Sequence, residues 1–146
     1  MVALAWRDAG EAVPLKFQLL IYPATDMRLA APSHTSNGQG YLLTADTIRY
    51  FRSHYLDPEQ YGDWRASPLL HADLSGLPPA LVITAGFDPL RDEGRQYADA
   101  LSAAGSPAQY ICFERQIHGF ITMGRLLGEA DTAVALCAAA LRRSLA

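Results

Sequence analysis

Two polar clusters in this sequence each follow an apolar run, and together they could do chemistry. After LVIT at 81–84 comes AGFDPLRDEG, which puts Asp88 on the turn leaving the run. After QYICF at 109–113 comes ERQIHGF, which puts His118 five residues beyond Phe113. If both runs are parallel strands, both loops leave the carboxyl edge of the sheet, where open α/β sheets bind their ligands. A carboxylate that accepts a hydrogen bond from one ring nitrogen of a histidine fixes its tautomer and leaves the other nitrogen able to take a proton from a serine hydroxyl. Pro89 sets the backbone after Asp88, and Gly119 leaves room beside His118.

Each residue also has a plainer reading. An Asp before Pro is more often a turn residue than a catalyst. Asp92 and Glu93 read as helix N-terminal charges favoured by the macrodipole. His34, His54 and His71 lie in loop, helix and Pro-rich contexts and read as structural or solvated. Leu43, Ile48 and Phe51 read first as core contacts of a short helix and second as pocket lining.

The elements that must hold these groups alternate. Residues 2–9 read as a helix closed by Gly10. LKFQLLIY at 15–22 is nearly continuous in apolar residues, which fits a strand buried on both faces of a parallel sheet. Residues 24–40 read as loop, and Thr44 as the N-cap of a helix to Tyr55 with Ile48, Phe51 and Tyr55 on one face. Residues 57–79 hold four of the nine prolines and read as irregular. From residue 80 the order is strand (81–84), helix (92–104, ended by Gly105), strand (109–113) and helix (129–145), the rhythm of parallel crossovers. The insertion 24–79 is too long for an ordinary connection and is a candidate lid.

Composition removes other classes. Half of the 146 residues are hydrophobic and the net charge is only -3, so the chain is no disordered tail. A single lysine, Lys16, and no basic cluster beyond Arg142 and Arg143 argue against nucleic acid as a partner. No apolar run approaches the roughly 18 residues of a membrane span. Cys112 and Cys137 belong to no metal or redox spacing and read as buried thiols. The first ten residues have neither the charged start nor the apolar length of a signal peptide, so a cytoplasmic location is expected.

DPLRDEG at 88–94, HGF at 118–120, FQLLIYP at 17–23, GYLLT at 40–44, and SPL followed by LPPALVITAG within 67–86 resemble the hormone-sensitive-lipase-like (family IV) carboxylesterases. The resemblance implies an α/β fold equivalent to the C-terminal half of an α/β hydrolase: the last three parallel strands with flanking helices, plus a cap-like insertion. Three segments follow: 1–23, the end of the nucleophile helix and a core strand; 24–79, the cap-like insertion and loops; and 80–146, carrying the catalytic Asp and His. The triad of such hydrolases runs Ser, Asp, His in chain order, and Asp88 as acid and His118 as base fit it. Leu43 and Phe51 from the cap and Phe120, a neighbour of the base, would contact substrate. No cofactor and no metal are implied.

That family takes its nucleophile from a G-x-S-x-G elbow and its oxyanion donors from an HGGG-type loop. Neither motif occurs here, and no serine has glycine at both positions two residues away. The expectation is a serine esterase of short to medium acyl esters in which the chain alone is inactive, because triad members act as a unit. Strand 15–22 would then be an exposed apolar edge, seeking the missing N-terminal half of the protein or a second copy. The alternative is a non-catalytic small-ligand-binding protein on the same scaffold, disfavoured because a pure binder has no need of His118. A peptidase is disfavoured by the cap-like insertion.

Overall fold

The structure, a computed structural model, describes residues 1–10 and 15–146. Three parallel strands form one sheet in the order β1 (Gln18–Ile21), β2 (Ala80–Phe87), β3 (Ala108–Ile117). The helices are α1 (Val2–Asp8), α2 (Ser33–Ser36), α3 (Ala45–Tyr55), α4 (Arg91–Ala103) and α5 (Gly128–Leu145).

The apolar continuity of ALVITAGF makes β2 the central strand, buried along its length except at Phe87. Its alternating side chains feed two cores. Leu81, Ile83 and Ala85 pack with Phe113 and Phe120 against the small residues Ala130, Ala133, Cys137 and Ala140 of α5. On the opposite face Ala80 packs with Leu4 of α1, Tyr97 and Leu101 of α4, and Leu74 and Leu77. The result is a helix, sheet, helix sandwich, and both layers must form before β2 is covered.

The strands differ from the sequence expectation at their ends. β1 is shorter than 15–22: the ladder runs Gln18 to Ile21 against Ala80 to Ile83, and its residues are half-buried because, among the described residues, β1 pairs only with β2. β3 is twice as long as 109–113, continuing through Glu114, Arg115 and Gln116 to Ile117. Those polar residues hide the strand from a hydrophobicity reading, since β3 is half-open to solvent. Within the loop read over 24–40 lies α2, a single helical turn. Thr44 caps α3 as expected, its Oγ1 accepting from the Thr47 N–H at 3.1 Å.

Both thiols are unpaired, Cys137 buried and Cys112 half-buried. Burial pushes both thiols up from the usual cysteine range, so they stay protonated. Among the described residues no helix is long and apolar enough to cross a membrane.

Candidate active site

Because β2 runs on to Phe87 and β3 to Ile117, Asp88 and His118 each stand at the first position past a strand. The two strands are hydrogen-bonded neighbours, with Phe87 registered on Ile117, so the residues that follow them meet. Asp88 Oδ2 lies 2.8 Å from His118 Nδ1. The carboxylate is fully buried, its Oδ1 accepting from the Leu90 N–H at 2.8 Å. A carboxylate facing Nδ1 favours the tautomer with its proton there, which leaves Nε2 as the ring nitrogen able to accept one.

The imidazole is held from the other side by Tyr22, whose ring centroid lies 4.7 Å from that of His118. The Tyr22 hydroxyl accepts from the Ile121 N–H at 2.9 Å, tying the end of β1 to the loop after the base. Burial pushes its phenol up, and the Ile121 bond opposes that only in part. Tyr22 carries φ +41°, unusual for a non-glycine residue, and such strain persists only where the surroundings over-determine it. The sequence reading treated Tyr22 as a strand residue. Gly119 has φ +84°, and a Cβ there would meet nothing closer than Leu42 at 3.5 Å. Its glycine is required by the left-handed turn after His118 rather than by a lack of space.

Beside His118 opens an apolar pocket of about 260 Å³ lined by Leu43, Ile48, Phe51, Tyr55 and Leu90 among others. The face of α3 that carries Ile48, Phe51 and Tyr55 therefore lines a cavity and is not core: Phe51 is 63% exposed and Tyr55 71%. Leu43 and Phe51 line this pocket together with His118. Phe120 does not. It is fully buried against Phe113 and Tyr22, with ring centroids 4.9 and 5.8 Å away, so it supports the imidazole through Tyr22 and has no surface to offer a substrate.

Behind the pair lies a polar network that the sequence did not suggest. Glu93 is fully buried: its Oε1 accepts from the N–H groups of Thr25 and Asp26 at 2.6 and 3.2 Å, and Oε2 pairs with His34 Nε2 at 2.6 Å. Glu93 does stand in the first turn of α4 as read, but buried, and His34 takes the structural one of its two readings. Asp92 does remain near the surface, paired with Arg91 at 2.8 Å. His54 is exposed on α3, and His71 packs on Trp64 and faces Asp8 at 3.3 Å. No pattern within 24–37 marks these loop residues as buried.

Residues 1–122 match the family described as alpha/beta hydrolase fold. The chain belongs to that family. Within it, the chain groups with the hormone-sensitive-lipase-like carboxylesterases. It is 42% identical over 144 residues to the carboxylic ester hydrolase LipN of Mycobacterium tuberculosis, covering 95% of this chain and 37% of that protein. It is 38% identical to an ethyl acetate hydrolase of Pseudomonas putida, covering 89% of this chain and 41% of that one. Among solved structures, the thermostable metagenomic carboxylesterase EstE1 superposes with a TM-score of 0.94 at 40% identity, covering 99% of this chain and 50% of that structure. This α/β-hydrolase chain thus spans less than half the length of the two curated relatives.

Proposed function

We propose that the chain supplies the acid and the base of a serine carboxylesterase, Asp88 orienting His118 and His118 moving the proton. The observation that carries this reading is the buried Asp88 carboxylate on His118 Nδ1 beside an apolar pocket. The nucleophile and the oxyanion donors come from a serine-bearing segment outside this sequence, since the 146 residues contain no G-x-S-x-G. His118 Nε2 takes the proton of that serine as its oxygen attacks the acyl carbonyl. The imidazolium formed is stabilised by Asp88 and returns the proton to the leaving alkoxide. Water then repeats the cycle on the acyl-enzyme. Leu43, Ile48 and Phe51 present an apolar wall to a short or medium acyl or alcohol chain. Residues 24–79 act as the cap and 80–146 as the segment bearing acid and base.

The open side of β1 is the natural place for the serine-bearing segment to pair. Leu15, Phe17 and Leu19 lie along a groove there with Met1 and Val2, an apolar edge that strand addition would cover. The test is hydrolysis of a p-nitrophenyl acyl ester. The 146-residue chain is expected to be inactive, and the same chain joined to a segment carrying G-x-S-x-G is expected to be active and labelled by a serine-directed phosphonate. Hydrolysis by the isolated chain that His118→Ala abolishes would overturn the assignment of an external nucleophile.

A further inference from the structure

We propose that Asn37 is a positioning residue for Asp88, fixing the turn on which the carboxylate is presented to His118. The inference rests on the reading of Asp88 and His118 as acid and base, but its first test needs no hydrolysis.

β2 does not run smoothly into Asp88. The register against β3 slips between Ala85 and Phe87, so the ladder is interrupted immediately before the acid. Irregularities of this kind aim a side chain and also loosen the backbone that carries it. Gly86 sits in the slip with Glu114 so close that an added Cβ would lie 2.0 Å from the Glu114 carbonyl oxygen. Arg91 Nη1 donates to the Gly86 carbonyl at 3.1 Å, and Asn37 spans the turn from that carbonyl to that of Asp88. Its Nδ2 donates to the Gly86 carbonyl at 3.1 Å and to the Asp88 carbonyl at 3.2 Å. One amide spends both its N–H groups across the irregularity.

Asn37 is itself fixed. It is 6% exposed, caps the single turn of α2, and its N–H donates to the Ser33 carbonyl at 2.9 Å. Ser33, fully buried, donates from Oγ to the Pro89 carbonyl at 2.6 Å and accepts from the Asp92 N–H at 3.1 Å. Two side chains one helical turn apart therefore grip the Asp88 turn at 86–88 and at 89–92. The residue after Asn37 extends the grip toward the pocket: the Gly38 carbonyl accepts from the Ala45 N–H at 2.8 Å, at the start of α3. Asn37 is not among the residues lining the pocket, and its side chain bonds to the Gly86 and Asp88 carbonyls, so it acts on the reaction through the Asp88 turn.

The far-downfield Nδ1 proton resonance of His118 reads the bond to Asp88 directly. Asn37→Leu removes both donors at similar volume, and Ser106→Ala serves as control because Ser106 makes equally buried bonds to Leu74 and Leu77 away from the site. The expected result is that Asn37→Leu exchanges this proton about tenfold faster, the order produced by losing one buried hydrogen bond, while Ser106→Ala leaves it unchanged. If Asn37→Leu does not fold, Asn37→Ser, which keeps one donor, is read in the same way. An unchanged exchange rate in the folded variant, or an equal change in Ser106→Ala, overturns the proposal. In the serine-bearing protein Asn37→Leu is expected to lower kcat with KM retained. A resonance that responds while the serine-bearing protein hydrolyses nothing would leave the positioning role standing and remove the esterase reading.

Discussion

The carboxylate of Asp88 has no exposed surface, while the imidazole it holds at 2.8 Å keeps 28% of its own. That asymmetry suits an orienting acid and a working base: one group is immobilised and the other reaches the pocket. Asp88→Asn keeps the size but presents an amide N–H to Nδ1, which favours the wrong tautomer. In the serine-bearing protein the expected loss in kcat is about 10⁴-fold with little change in KM. A rate within a few-fold of the parent would remove Asp88 from the mechanism.

Glu93 binds two backbone N–H groups and His34 in the interior. Glu93→Ala leaves all three without an acceptor and is expected to cost about 3 kcal/mol. Glu93→Gln, whose amide oxygen can still accept from Thr25, should cost visibly less. Urea midpoints at equal slope measure both, and a Glu93→Gln loss as large as that of Glu93→Ala would show that the retained amide oxygen and volume contribute nothing.

Gly86 leaves no room for a side chain, because backbone on β3 stands where its Cβ would go. Backbone cannot swing aside as a flexible side chain would. Gly86→Ala should therefore separate β2 from β3, with a loss of about 3 kcal/mol or more, and weaken the downfield His118 resonance even where the protein remains folded.

The Asp26 carboxyl is pushed up by burial, but hydrogen bonds from the Arg28 side chain and backbone outweigh this and hold it below its ordinary value of 3.8. A group whose folded pKa is depressed stabilises the fold above its unfolded pKa, and that contribution fades as pH falls toward the folded value. Asp26→Asn should accordingly flatten the loss of stability as pH falls below the ordinary aspartate value of 3.8, relative to the parent. Parallel acid limbs in urea titrations would exclude this contribution.

Ile48, Leu43 and Phe51 share the pocket with His118. Ile48→Trp would fill much of its roughly 260 Å³. In the serine-bearing protein the ratio of kcat/KM for a hexanoyl over an acetyl ester should fall about tenfold, the worth of one or two methylenes in an apolar pocket. An unchanged ratio would place the acyl chain elsewhere.

The parts of the fold legible in the sequence were those with one dominant cause. LVIT at 81–84 reads as a strand, Thr44 as the cap of the helix it precedes, and 129–145 as a helix, although the central place of β2 and its full length Ala80–Phe87 do not follow from that run. The boundaries of β1 and β3 were not legible, because edge strands expose residues whose polarity breaks the apolar pattern.

The order of Asp88 and His118 in the chain and their position after strands were present in residue types and spacing, since local geometry and periodicity act over a few residues, whereas spacing read Leu43 and Phe51 first as core and only the resemblance implied a pocket. The tertiary structure decided what distance in sequence conceals. It buried Glu93 on His34, put Tyr22 under the imidazole, withdrew Phe120 into the core and brought Asn37 across 51 residues to the Asp88 turn. Each of these is a polar or aromatic side chain whose partner is a backbone group or ring set by packing, and no pattern along the chain encodes such a partner.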